Sequence, residues 1–68
     1  MPDYYVNKNE QNNGDHKVHV VGCAWLDVVA DKLYLGDFLC CHEAVVTAQI
    51  FYPQSNGCYY CSRECHTP

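Results

Sequence analysis

The sequence predicts a small α+β domain in which two or three short antiparallel strands pack on one helix, followed by a C-terminal cysteine knuckle. Three observations support this fold class. Apolar residues alternate over 17–21, as in a strand, and recur at helical spacing over 41–52. Six Cys in 68 residues are typical of a small domain that is stabilised by disulfides or a bound metal ion. The length predicts a single domain, residues 1–68, with fraying expected at residues 1–3 and 67–68.

Two short strands are predicted in the first third of the chain. Residues 4–6 (Tyr-Tyr-Val) favour a strand at a sheet edge, and a polar loop with an Asn-Gly turn signal follows. Residues 17–21 alternate, so Val18 and Val20 are expected to face the core while His19 faces the other way. This arrangement makes His19 either an exposed side chain or a candidate ligand.

A third strand and one helix are predicted in the second half. Residues 33–35 (Leu-Tyr-Leu) favour a strand that ends at Gly36. The helix is expected over 41–52 and ends before Pro53, because the residue before proline avoids the α region. Residues 55–57 (Ser-Asn-Gly) favour a turn. The helix has an apolar stripe that is expected to face the core: Cys41, Ala44, Val45, Ala48, Phe51 and Tyr52.

Charge and hydropathy exclude several classes of function. The formal net charge is −4 and the chain has only four Lys and Arg, which makes nucleic acid and anionic membranes poor partners. No apolar run has the length of a signal peptide or a transmembrane segment. We therefore expect a cytoplasmic protein, in which clustered Cys bind metal more often than they form disulfides.

Two residue pairs have the spacing of metal ligands. Cys58 and Cys61 form a C-x2-C pair, and His19 and Cys23 form an H-x3-C pair at a predicted strand end. Three thiolates and one imidazole are an ordinary ligand set for structural Zn²⁺. A domain this short buries only about 60% of its unfolded surface, so a metal that joins residues 19–23 to 58–61 would staple its core.

Alternatives to this ligand set remain open. Cys65 has the spacing to replace His19, and His66 is a further substitute ligand. Cys40 resembles a helix N-cap, and Cys41 on the inward stripe resembles a buried free thiol. A disulfide-bonded extracytoplasmic mini-domain is the alternative to a metal site, and a redox role for the C-x2-C pair is a further one.

No catalytic motif is evident, so we expect a non-enzymatic domain. Val46 and Ile50 lie one turn apart on the outer face of the predicted helix. Such β-branched residues indicate either a second layer that covers them, such as the aromatic N-terminal strand, or a surface for another protein or a second copy of the chain.

The pattern between His16 and His66 resembles a family of small uncharacterised bacterial proteins, which implies no function. The resemblance covers most of the chain and is carried by Gly14-Asp15-His16-Lys17-Val18-His19, Cys23, Leu35-Gly36-Asp37-Phe38, Cys41-His42-Glu43-Ala44-Val45, Tyr52-Pro53 and Gly57-Cys58-Tyr59-Tyr60-Cys61-Ser62-Arg63-Glu64-Cys65-His66-Thr67.

The order of ligand-x3-Cys, strand, helix and Cys-x2-Cys is more distantly similar to the zinc-binding domain of the bacterial Ada alkylation-response protein. That resemblance implies His19, Cys23, Cys58 and Cys61 as zinc ligands, and it offers nucleic-acid binding as an alternative function. In Ada the first ligand is a Cys that accepts a methyl group from DNA phosphotriesters. His19 stands at that position here and lacks a thiolate, so the resemblance does not imply methyl transfer.

Overall fold

The computed structural model describes residues 1–66, which form a four-stranded sheet with one main helix and confirm the α+β class. Fraying was expected at residues 67–68, which lie outside the described residues. It was also expected at residues 1–3, but Asp3 is the first residue of β1. The elements in chain order are β1 (Asp3–Asn7), β2 (His16–Val20), α1 (Ala24–Asp27), β3 (Lys32–Asp37), α2 (Cys41–Phe51), β4 (Ser55–Gly57) and a 3₁₀ turn (Arg63–Cys65).

The sheet has the strand order β3-β1-β2-β4. β1 is antiparallel to both β2 and β3, so it lies inside the sheet, and the prediction of an edge strand at residues 4–6 is wrong. The fourth strand is parallel to β2, with Ser55 opposite His16 and Gly57 opposite Val18. The all-antiparallel prediction therefore holds for three strands only. Residues 55–57 extend along β2 because that strand's free edge supplies hydrogen-bond partners.

One face of the sheet packs on α2. Tyr4, Val6 and Val18 from the sheet are buried against small helix residues. Since those helix residues are Cys41, Ala44 and Ala48, the helix can approach the strands closely. The prediction that Phe51 faces this core is wrong: α2 ends at this residue, and its side chain is 59% exposed.

The other face of the sheet is covered by a second, smaller cluster. Cys23, Leu26 and Cys58 are buried there and pack with Tyr5 and Cys61. The short helix α1 supplies Leu26 and was missed, because four residues are too few for a helical periodicity to be visible. The sheet is therefore covered on both faces, with α2 on one side and cysteine-rich loops on the other.

A C-terminal strap, residues 58–65, bends around the β4 edge of the sheet. At its start Cys58 belongs to the smaller cluster, and at its end Cys65 packs against the α2 core. Cys65 is bonded to Cys41 through a disulfide with a Cα–Cα distance of 6.2 Å. The expectation that Cys41 is a free buried thiol is thus wrong. The strap joins the two faces of the sheet.

Gly57 is the point around which the strap bends. A Cβ atom at this position would lie 2.7 Å from the Ser62 carbonyl oxygen and 2.8 Å from Cys65 Cβ. We expect Gly57→Ala to lower the free energy of unfolding by about 1–3 kcal/mol, because the opposing atoms belong to a packed backbone. Urea-induced unfolding would measure this loss.

Gly22 provides the control for that substitution. A Cβ there meets no atom within 4 Å, but its φ of +91° belongs to the left-handed region. Gly22→Ala therefore carries only a backbone cost of about 1–2 kcal/mol. A Gly57→Ala protein as stable as the wild type would contradict the close packing of the strap.

Among the helices of residues 1–66, none has the length and hydropathy needed to cross a lipid bilayer.

Candidate metal centre

The structure brings together the four residues that the spacing predicted as one site. His19 lies on β2, Cys23 precedes α1, and Cys58 and Cys61 lie in the strap. One ligand atom from each residue lies within 4.8 Å of the other three. Residues from two distant segments thus meet on the face of the sheet opposite α2, and they are positioned to bind a metal ion.

The first pair is placed by a strand followed by a glycine turn. His19 faces away from the α2 core because strand side chains alternate. Gly22, with its positive φ of +91°, reverses the chain, and the Cys23 amide donates to the Val20 carbonyl at 3.2 Å. His19 is only 5% exposed, so the alternative that it is a solvent-facing side chain is wrong.

The second pair is placed by the parallel strand β4. The Cys58 amide donates to the Val18 carbonyl at 2.9 Å, which fixes Cys58 beside β2. The Ser62 amide then donates to the Cys58 carbonyl at 2.9 Å and closes a turn that directs Cys61 inward. Cys61 Sγ accepts the Val20 amide proton at 3.4 Å. Backbone amides that donate to a cysteine sulfur stabilise a thiolate.

The distances within the site are close to those of a tetrahedral zinc centre. His19 Nδ1 lies 3.8 Å from both Cys23 Sγ and Cys61 Sγ. Ligand bonds of about 2.0 Å to nitrogen and about 2.3 Å to sulfur, at tetrahedral angles, place such atoms about 3.6 Å apart. These two distances are therefore close to the separation of nitrogen and sulfur ligands on one ion.

Burial changes the pKa values of side chains in the candidate site. Desolvation, aided by nearby Lys17, lowers the pKa of His19, which keeps its imidazole neutral at neutral pH, as a ligand must be. Burial raises the pKa of Cys61 to about 12. For Cys23, burial acts to raise the pKa, but hydrogen bonds from Cys61 and from backbone amides outweigh it and lower the pKa. The site thus favours the thiolate form of Cys23 over that of Cys61.

The two substitute ligands lie outside this cluster. Cys65 is held in the disulfide with Cys41 and is not available to an ion while that bond exists. His66 Nδ1 lies 3.1 Å from the Gly57 carbonyl oxygen instead. A second group, Cys41, His42 and Cys65, also has ligand atoms within 4.8 Å of one another, but two of its sulfurs form the disulfide.

Sequence reasoning missed the Cys41–Cys65 bond. Two signals pointed to it: Cys41 lies on the inward stripe of α2, and Cys65 follows a C-x2-C pair with no partner of its own. Cys40, by contrast, is a free thiol at the α2 N-cap, and its side chain makes no capping hydrogen bond.

The predicted partner surface is exposed. Val46 is 62% exposed and Ile50 is 76% exposed on the outer side of α2. No element within residues 1–66 covers them, so the sequence-based expectation of an apolar outer face holds for these two side chains.

The chain has no significant match among protein-family models, curated proteins or solved structures. The resemblances to a bacterial family and to Ada therefore stay predictions.

Proposed function

We propose that the chain is a non-enzymatic domain stapled by structural Zn²⁺, bound by His19, Cys23, Cys58 and Cys61, which acts through a protein-interaction surface. The observation that carries the proposal is the convergence of four ligand atoms within 4.8 Å from two segments that are far apart in sequence. Such an ion would contribute directly to folding, because the unfolded chain does not preform the site.

The donor set favours zinc in a structural role. Three thiolates with one imidazole suit Zn²⁺, and a site closed by four protein ligands leaves no coordination position for a substrate. Burial of His19, Cys23 and Cys58 supports the same role, since the ion would be shielded from solvent. Catalytic zinc keeps an open position, so the proposal includes no enzymatic activity.

Metal analysis of freshly purified protein tests the proposal. We expect about one zinc per chain, as for a single four-ligand site, and loss of the folded circular dichroism spectrum after treatment with a strong chelator. Cobalt substitution adds an independent readout, because thiolate ligands give charge-transfer bands in the near ultraviolet. A natively folded protein that contains no metal would overturn the proposal.

Zinc binding is expected to release protons and to weaken as the pH falls. A thiol must lose its proton to become a ligand. Cys61 is protonated at neutral pH because burial raises its pKa to about 12, whereas the lowered pKa of His19 leaves that ligand already neutral. We expect about two to three protons released per zinc near pH 7, from the three thiols. Calorimetry in buffers of different ionisation enthalpy measures this number, and a value near zero would contradict thiolate ligation.

The interaction surface is proposed at Val46 and Ile50, with another protein or a second copy of the chain as the partner. Their exposure of 62% and 76% supports this placement. If the surface joins two copies, sedimentation should show a dimer in the wild type and a monomer in Val46→Glu. Identical sedimentation of the two proteins would exclude the second copy as the partner.

The cytoplasm is the proposed location, but one observation favours a location outside the cytoplasm. The Cys41–Cys65 disulfide is typical of an oxidising compartment. A disulfide-bonded extracytoplasmic domain is therefore the second candidate. Counting alkylated thiols in denatured protein separates the two: the zinc proposal leaves four thiols, on Cys23, Cys40, Cys58 and Cys61, whereas a framework of three disulfides leaves none.

A further inference from the structure

An open groove of about 800 Å³ lies beside the candidate metal centre. This volume is in the range of about 300–1,000 Å³ that is typical of small-molecule sites. Trp25, Tyr59 and Tyr60 line it together with Lys17 and His66, and the centre contributes His19 and Cys58. The groove therefore combines aromatic rings with a basic side chain.

Apart from the metal centre, the charge of the groove lining is opposite to that of the whole chain. The chain has eight Asp and Glu against four Lys and Arg. Among residues 1–66, however, no carboxylate lines the groove, and Lys17 is the only Lys or Arg there. Lys17 is close enough to Asp15 to help lower the pKa of that carboxyl, but it forms no salt bridge within the described part of the chain. Lys17 is thus the group in the groove, away from the metal centre, that can pair with a negatively charged ligand.

Lys17 and His66 present more hydrogen-bond donors than acceptors. His66 Nδ1 lies 3.1 Å from the Gly57 carbonyl oxygen, which only accepts, so this contact is a hydrogen bond only when Nδ1 carries the proton. Lys17 Nζ lies 3.3 Å from the same nitrogen, and an ammonium group only donates. The ammonium group has three N–H donors, and the imidazole nitrogen can accept from one of them at most. An acceptor that carries negative charge would satisfy the ammonium group.

The aromatic side chains provide a surface for a flat ring. Trp25 and Tyr60 stack with their ring centroids 5.4 Å apart, and they are 51% and 68% exposed. Large aromatic side chains that stay this exposed are suited to stacking on a ligand. Tyr59, 46% exposed, meets Tyr60 edge-on at 5.3 Å and extends the same wall.

We propose that this groove binds a small organic anion that carries a flat ring. The anionic group pairs with Lys17, and the ring packs against Trp25 and Tyr60. Phosphate and carboxylate share the charge and the acceptor oxygens that the site requires, so the ligand class is a ring-bearing phosphate or carboxylate. This inference goes beyond the zinc proposal, because the groove residues that bind the anion are not metal ligands.

Calorimetric titration of the full chain as purified, with its metal content measured, tests the proposal. The probes are adenosine 5′-monophosphate and phenylacetate, which distinguish a phosphate from a carboxylate. Adenosine and inorganic phosphate supply the ring and the anion separately. We expect at least one complete probe to bind about tenfold or more tightly than the separate parts, because the complete probe makes both sets of contacts.

Matched variants assign the binding to the groove. Lys17→Gln should weaken binding about ten- to a hundredfold, the range of a hydrogen bond to a charged group, and Lys17→Arg should restore most of it. Lys8→Gln makes the same charge change outside the groove and should have no effect. Trp25→Ala, at an exposed position, should weaken binding without loss of the fold.

Two results would overturn the proposal. One is the absence of binding by both complete probes at millimolar concentration to a folded, metal-containing protein. The other is equal binding by the wild type and by a folded Lys17→Gln protein. Metal loss without loss of probe binding would contradict the zinc proposal alone, so the two failures are distinguishable.

Discussion

Replacing Cys58 with serine is expected to unfold the chain at 25 °C, even in zinc-containing buffer. Cys58 is 4% exposed, and its sulfur is one of the four clustered ligand atoms. A structural zinc contributes an apparent free energy of about 10–16 kcal/mol, which is as large as the total stability of about 5–15 kcal/mol of typical domains. Loss of one ligand should therefore remove most of the folded population. Circular dichroism and zinc content measure both effects.

Cys40→Ser is the matched control, because it makes the same chemical change outside the site. Cys40 is a free thiol at the α2 N-cap and makes no capping hydrogen bond. Serine is a preferred N-cap residue, so this variant should keep its zinc and gain up to about 1 kcal/mol. A Cys58→Ser protein that binds zinc and melts like Cys40→Ser would contradict the assigned ligand set.

Removing the disulfide with the double variant Cys41→Ala/Cys65→Ala is expected to cost about 3.5 kcal/mol of stability, from the loop-closure entropy of its 24-residue separation. For a domain of this size, that corresponds to a melting temperature about 15–25 °C lower. Zinc should remain bound, because neither residue belongs to the four-ligand cluster. Thermal melting and metal analysis of the same sample check both expectations.

Reduction of the wild-type protein provides the control for the double variant. A phosphine reductant breaks the Cys41–Cys65 bond without changing the core volume, so the melting temperature should fall by a similar amount. An unchanged melting temperature after complete reduction, verified by thiol counting, would show that this bond contributes little.

The elements with strong periodicity were predictable from sequence. The helix predicted over 41–52 ends at Phe51, and Pro53 marks its end as expected. The strand around Val18 follows from alternation, with Val18 fully buried. In both cases the local pattern and the tertiary packing favour the same structure, which is the condition for a sequence-based prediction to succeed.

The elements that depend on tertiary context were not predictable. Ser55, Asn56 and Gly57 have turn propensity, yet they form β4 because the free edge of β2 accepts them. Phe51 is 59% exposed although it belongs to the predicted stripe, whereas its neighbour Tyr52 packs against the core.

The residues of the candidate site were predictable from the sequence, but their burial and the side chains around them were not. Ligand spacing identifies His19, Cys23, Cys58 and Cys61 without reference to the fold. The burial of His19 depends on the loops that cover the second face of the sheet. The disulfide partner of Cys41 depends on the path of the strap. Sequence alone leaves cysteine pairing undetermined.

The residues of the strap are synthesised after the residues that they contact. The strap brings later residues to earlier ones: Cys58 and Cys61 lie beside His19 and Cys23 in the candidate site, and Cys65 is bonded to Cys41. Contacts between residues so far apart in sequence form slowly, because loop closure must precede them. A nascent chain on the ribosome therefore has neither the candidate metal site nor the disulfide until residues 58–65 have emerged, and β4 can join the sheet only after β1, β2 and β3 have been made.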